Sequence, residues 1–125
     1  MSLRNPYQAY ENNQVLFAKG EELTLLLYQG AIKFIEQAKL ALEKNDLQRA
    51  GNRMIKAQNI ISELMVTLNL DIEISKSLLL LYDYVKQRLI DANLKKDAKI
   101  LNEVQGMLVE LLGTWTEAIK VVRPT

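Results

Sequence analysis

Acidic, basic and hydroxyl side chains recur in this sequence at spacings that a helix would bring together, and the first question is what chemistry they could perform. Asp83 and Tyr84 precede Arg88, and Glu73 stands three residues before Lys76. Groups three or four apart are neighbours on a helix surface, where they most often form solvated or rim contacts. "KAQNIISEL" sets Gln58, Asn59 and Ser62 close together. Such a trio can hydrogen-bond a neighbouring helix or satisfy the backbone of a bound extended peptide. No histidine and no cysteine occurs anywhere in the chain. That excludes thiol chemistry, the phosphoryl carrier of histidine phosphotransfer bundles and the Glu-x-x-His pairs of di-iron bundles. All-helical chorismate mutases need neither histidine nor metal, but they grip a dianionic substrate with several buried basic residues. Of Arg4, Arg49, Arg53, Arg88 and Arg123, only Arg88 lies near the edge of an inferred core stripe. No catalytic set emerges, and no cofactor is implied.

The elements that carry these residues are helices. The 125-residue chain is 49% hydrophobic and 25% charged, the composition of one folded domain. Its two prolines, Pro6 and Pro124, leave the whole interval between them free of that helix breaker. Sixteen basic and fifteen acidic residues nearly cancel, and the longest basic run is Lys95-Lys96. With no stripe of cations in view, nucleic acid is not an expected partner. The N-terminal "MSLRNPYQAYENN" lacks the apolar core of a signal peptide, and no apolar run approaches the roughly 18 to 20 residues that span a bilayer. A cytoplasmic protein with no membrane insertion is the expectation.

Caps and 3.6-residue periodicity predict four helices, over residues 21–43, 46–68, 72–94 and 97–122. The first shows Leu23, Leu27, Gly30, Phe34, Ala38 and Ala41 on one face. Asp46 is placed to cap the second, whose stripe runs through Leu47, Ala50, Met54, Ala57, Ile61, Leu64, Met65 and Leu68. Asp71 is placed to start the third, with Ile74, Leu78, Leu81, Val85, Leu89 and Ala92 as its main face. The fourth presents Ile100, Val104, Met107, Leu108, Leu111, Trp115, Ala118 and Val122. Short connections between long helices force antiparallel neighbours. The fold class is therefore all-α: an up-down-up-down four-helix bundle over residues 19–125, preceded by an N-terminal arm or short helix over residues 1–18.

A second set of apolar residues falls off these faces. Leu25, Tyr28, Ile32 and Ile35 project away from the Leu23–Leu27–Phe34 face, and Ile72, Leu79 and Ile90 lie away from the Ile74–Leu78–Val85 face. Leu101, Leu112 and Ile119 widen the fourth stripe to one side. Extra apolar positions of this kind commonly widen a core. A bundle of this size cannot enclose two faces of more than one helix, so part of the set is expected on the surface as a partner site. Gly30, inside a helix, is expected to mark a close helix approach.

The blocks "NPYQAY", "GEELTLLLYQGAIKFI", "KAQNIISELMVTLN", "ISKSLLLLYDYVKQRLIDAN" and "EVQGMLVELLGTW" together resemble the flagellar secretion chaperone FliS family, in order, over residues 5–120. The chain departs from the family's common Ser-Pro step before the first long helix, reading "FAKGEE" instead. The resemblance implies a cytoplasmic, non-enzymatic export chaperone, without cofactor and without ATP. Its implied partners are the disordered C-terminal segment of flagellin, held against premature polymerisation, and an export-gate component of the flagellar type III apparatus. The flagellin-binding residues expected are Leu25, Tyr28, Ile32, Ile35, Gln58, Asn59, Ile72, Leu79 and Ile90. Tyr7 and Tyr10 match the family's aromatic positions for docking at the export gate. A homodimeric helical scaffold, its second stripe sealing a dimer, is the alternative to a chaperone that is monomeric when free.

Overall fold

A computed structural model describes residues 19–122, which form four helices: α1 (Lys19–Glu43), α2 (Leu47–Val66), α3 (Glu73–Lys95) and α4 (Ala98–Val122). No strand occurs among the described residues. Helices α1 and α3 each pack against both α2 and α4, while α1 and α3, like α2 and α4, face each other across diagonals. The result is the expected up-down-up-down bundle, a square of helices around one continuous core. Neither the expected arm nor its boundary at residue 18 falls within the described residues.

Local chemistry sets the ends. The amide of Asp46 donates to the carbonyl of Ala41 at 2.8 Å and that of Asn45 to Leu42 at 3.0 Å, the paired bonds that close a helix through a left-handed residue. That residue is Asn45, with φ of 58°, a conformation asparagine tolerates better than most side chains. Asp46 then caps α2 as expected, its carboxylate accepting from the Arg49 amide at 3.1 Å. Asp71 does not start α3. The cap position is Ile72, with no side-chain cap, while the Asp71 amide donates to Asn69 Oδ1 at 3.0 Å. The asparagine turn takes up the backbone that Asp71 was expected to organise. Lys96, also left-handed at φ 51°, ends α3, with its amide and that of Asp97 both donating to Ala92.

The main correction concerns the rotation of α1. Its core face is Leu27, Tyr28, Ala31, Ile35, Ala38 and Ala41, so Tyr28 and Ile35 point inward rather than away. Phe34, expected in the core, is only partly buried and lies against α2, with the Arg53 guanidinium 6.0 Å and the Lys56 ammonium 5.8 Å from its ring centre. Leu23 likewise sits at the margin. The physical reason is the neighbouring helix. Gly30 faces α2 so closely that a Cβ there would stand 3.1 Å from Ile60 Cδ1, and turning Gly30 toward α2 turns Tyr28, Ala31 and Ile35 toward the centre. The expected close approach at Gly30 is thus present, and it is what displaces the stripe.

Similar adjustments occur elsewhere. Leu101 joins Ile100, Val104 and Leu108 in the core, and Tyr82 joins Val85, Leu89 and Ala92. Leu47 and Ile74, both expected inside, are 47% and 61% exposed. Each stands in the first turn of its helix, beyond the end of the core. Ala118 is also exposed, and Leu81 is partly buried.

The rotation of α1 is directly testable. Ile35→Ala should cost about 2–5 kcal/mol in denaturant unfolding, as for a fully buried aliphatic, whereas Phe34→Ala should cost only about 1–2 kcal/mol because most of its loss is partial burial and exposed cation–π contact. The reverse ranking would restore the stripe read from the sequence.

Candidate functional site

An apolar hollow lies at the end of the bundle where α1 and α3 begin and α2 and α4 finish, while exposed Leu40, Leu47, Ile55, Leu80, Leu94 and Val109 lie outside it. A pocket of about 220 Å³ is bounded there by Thr24 of α1, Thr67 and Leu68 after α2, Ile72, Ile74, Ser75, Leu78 and Tyr82 of the α3 start, and Trp115 of α4. A smaller hollow of about 160 Å³, between Glu21, Trp115, Ala118 and Ile119, adjoins it through the shared Trp115 and Glu21. The floor is polar: Thr24 and Ser75 are the two buried polar residues of the described chain, and Tyr82 carries a hydroxyl. The pocket's edge includes Ile72 and Ile74, and Val66 and Leu70 stand near them in sequence. Val66, Leu70, Ile72 and Ile74 are 76%, 50%, 51% and 61% exposed, four large apolar groups within nine residues of connecting chain. An apolar concavity with a few convergent polar groups is the usual form of a binding site.

Trp115 does not fill the core as a bundle tryptophan commonly does. It is partly buried, its indole N–H donating to the Glu21 carbonyl at 3.4 Å, so it ties the end of α4 to the start of α1 and forms the wall between the two hollows. Beneath it, Tyr28 and Tyr82 reach across the α1–α3 diagonal. Their hydroxyls are 2.5 Å apart and their rings meet edge to face at 6.3 Å. One phenol donates to the other, which leaves the acceptor's own proton for another partner. Burial pushes both phenols above their ordinary 10.0; the Tyr82 hydrogen bond raises Tyr28 further, while the same bond acts in the opposite sense on Tyr82. Both are neutral at physiological pH.

The other polar groups serve the fold. The Arg88 guanidinium binds Glu103 of α4 at 3.0 Å and Asp91 at 3.5 Å, and the Tyr84 hydroxyl donates to the same Glu103. Asp83 takes no part in this cluster, so the grouping with Tyr84 and Arg88 is replaced by a tie from α3 to α4. These contacts hold the Glu103 carboxyl below its usual range, with the Tyr84 hydrogen bond the largest cause. Gln105 joins α4 to α1 by donating to Glu36 at 2.9 Å and accepting from Lys39 at 2.8 Å. Glu73 and Lys76 form an exposed pair at 3.9 Å, a contact worth little to stability. Among the described residues no acidic cluster is placed to hold a metal ion.

The residues expected to bind a client are distributed rather than gathered. Tyr28 and Ile35 belong to the core and cannot touch a partner without unfolding α1. Leu25 and Ile32 are partly buried on the flank of α1 that turns toward α4, where the Ile32 carbonyl accepts from Gln105. Gln58, Leu79 and Ile90 are also partly buried. Their helix positions place them on the sides of α2 and α3 that meet, the sides marked by Gly51 against Asn93 and Lys96. Asn59 is exposed. Only Ile72 lines the end pocket. Tyr7 and Tyr10 lie outside the described residues. Ile74 of the pocket edge and its sequence neighbours Val66 and Leu70 did not stand out in the sequence as a partner site, although "VTLNLDIEI" places aliphatics where a connection normally carries turn-forming polar residues.

The fold is that of an all-helical bundle with an apolar hollow at one end, and its family is shown by comparison with known proteins. The family model for flagellar protein FliS matches residues 3–122, and the chain belongs to this family. The flagellar secretion chaperone FliS of Bacillus subtilis strain 168 is 46% identical over 123 residues, spanning 98% of this chain and 92% of that relative. The chaperone of the same name from Salmonella typhimurium strain LT2 is 34% identical over 113 residues, 88% of this chain and 84% of its own. A crystal structure of a bacterial flagellar chaperone shares the fold, with a TM-score of 0.77 over 91% of this chain and 94% of that one at 22% identity. The family is one of non-enzymatic chaperones acting in flagellar export.

The diagonal tyrosine pair supplies a stability test. Tyr28→Phe or Tyr82→Phe alone should each cost about 1–3 kcal/mol by stranding a buried hydroxyl, and the double change should cost less than the two together. Because both folded phenols titrate above 10.0, the unfolded chain loses these protons first. Their contribution is complete below that pH and declines as the pH rises beyond it. Alkaline unfolding of the double variant should therefore be shallower than that of the unmodified protein.

Proposed function

We propose that this protein is a cytoplasmic export chaperone for flagellin. It binds the disordered C-terminal segment of newly made flagellin, prevents premature polymerisation and delivers the client to the flagellar type III export apparatus. The observation that carries the client site is the end pocket with its exposed aliphatic rim. An extended segment crossing the pocket reaches the α2/α3 flank of Gln58, Leu79 and Ile90 in one direction and the α1/α4 flank of Leu25 and Ile32 in the other. In this reading the client takes a path from one flank to the other through the pocket, joining expected residues that are otherwise distributed over the bundle. Ile72 stands at its turn, and Asn59 lies on the outer side of α2 beside it. No described helix is long and apolar enough to cross a membrane, which is compatible with a chaperone that meets its client before export.

Binding at such a path depends on apolar burial large enough to offset ordering of a disordered client, an ordering that costs several kcal/mol. Isothermal calorimetry with the C-terminal segment of the cognate flagellin should show a negative heat-capacity change, and circular dichroism should show a gain in helicity. A complex with neither would defeat groove burial.

Two variants localise the reading. Ile74→Glu places a charge at the pocket rim on a residue already 61% exposed. It should weaken client binding by roughly tenfold or more while stability changes by no more than about 0.5 kcal/mol, the range of most surface substitutions. The aromatic pair Tyr7 and Tyr10 is assigned to docking at the export gate. A double Tyr7→Ala, Tyr10→Ala change should leave client affinity and melting temperature near those of the unmodified protein while flagellin secretion collapses. A melting temperature that falls with secretion would make the two rings structural instead.

A further inference from the structure

The outer side of the α1/α2 pair carries a feature that the client path does not use. Arg49, Arg53 and Lys56 follow one another at spacings of four and three residues, so a helix collects into one row cations that are scattered in sequence. Reading only consecutive basic residues missed this row. It faces α1 beside Phe34, whose ring lies under both Arg53 and Lys56, and Lys44 stands at its end, sharing a hollow of about 330 Å³ with Arg49 and Gln37. A second, neighbouring hollow of about 340 Å³ runs on to Arg53. Among the described residues none of these four cations is in an ion pair. The carboxylate beside them, Asp46, is engaged in capping α2. Even with the Asp46 carboxylate counted, cations are in excess around the two hollows, although the whole chain has a net charge of only +1.

Two further atoms describe the ligand. Gln37 Oε1 and Arg53 Nε are both withdrawn from solvent without a hydrogen-bond partner, one an acceptor and the other a donor. Both residues line the hollows beside the cation row. A peptide supplies hydrogen-bond donors and acceptors together, from its side chains even where its backbone is helical, and so can serve both atoms. A nucleic-acid backbone or a lipid phosphate supplies acceptors only. Beyond Lys56 the groove turns apolar at Gly30 and Ile60, which approach closely. We propose that the α1/α2 groove is a second docking site, separate from the client path, for an acidic peptide segment of a partner protein with apolar residues following its carboxylates. From Arg49 to Ile60 the groove spans roughly 16 Å at 1.5 Å per residue, so about 12 residues of a helical ligand would cover it.

The test uses the full chain and a fluorescein-labelled amphipathic peptide of about 12 residues with glutamates at i, i+4 and i+7 followed by leucines. A peptide with lysine at the same positions and a single-stranded oligonucleotide of equal charge are the comparisons. The acidic peptide should bind, weaken as ionic strength rises from about 0.05 to 0.3 M because the Debye length shrinks, and lose roughly tenfold or more in affinity on combined Arg49→Glu, Arg53→Glu and Lys56→Glu reversal. Should the reversal reduce helicity, the Arg49→Gln, Arg53→Gln and Lys56→Gln variant decides the matter in its place. Calorimetry with the flagellin C-terminal segment should be unaltered in whichever variant is used. Equal binding of acidic and basic peptides, unchanged affinity in the variant, or tighter binding of the oligonucleotide would overturn the acidic-peptide site. Loss of flagellin-segment binding in the same variant would put the cations in the client path and overturn a separate surface. Failure of the flagellin segment to bind the unmodified protein would refute the client assignment and leave this site standing.

Discussion

Side-chain size along the core is the constraint on which the rest of this structure depends. Near the α1–α2 turn the buried positions of the first three helices are Ala38, Ala41, Ala50 and Ala92, and the larger Ile100 and Leu101 of α4 fill the space between them. Toward the opposite end the same helices bury Tyr28, Ile61, Leu64 and Tyr82. Helices separated by such groups leave spaces that aliphatic packing must fill at near-crystalline density. Here the two tyrosines span the diagonal, one hydroxyl donating to the other. Above them the filling stops at Thr24, Ser75 and Trp115, and the pocket begins. This end is open because the core becomes bulky and incomplete there.

The near-neutral charge of the chain conceals a division of labour. On the α3/α4 side, Arg88, Tyr84, Asp91 and Glu103 satisfy one another and hold two helices in register. On the α1/α4 side Lys39, Glu36 and Gln105 do the same. Contacts of this kind add little energy at an exposed surface, but they fix which side chains face which helix. The α1/α2 side has no such closure among the described residues, and there positive charge accumulates around a single partly buried aromatic ring. Two helix boundaries are tied with polar groups and two by close approach at Gly30 and Gly51, and the outer α1/α2 surface is left with cations in excess.

Gly30 shows how one residue redistributes a whole stripe. Its missing Cβ lets α1 approach Ile60, and the approach selects which of two apolar faces of α1 enters the centre. Both faces are legible in the sequence as apolar. The choice between them depends on a contact with a residue thirty positions away, and helical periodicity contains no information about that contact. Phe34 and Tyr28 exchange their expected places for this reason. The same limit applies to Leu47 and Ile74, whose periodicity is right for the core but whose helix turns extend past its end.

What the sequence by itself determined is local or cumulative: four helices, their approximate limits, the Asp46 cap, the bundle topology forced by short connections, the absence of histidine and cysteine chemistry, and a resemblance spread over most of the chain. These depend on backbone propensity, capping and repeated apolar spacing, each of which is set within a few residues. Tertiary structure alone decided the rotation of α1, the diagonal Tyr28–Tyr82 contact, the pocket edged by Ile72 and Ile74, and the placing of Arg53 and Lys56 against Phe34. Each of those requires two or more helices to meet, and their meeting is governed by the sizes of side chains distant in sequence.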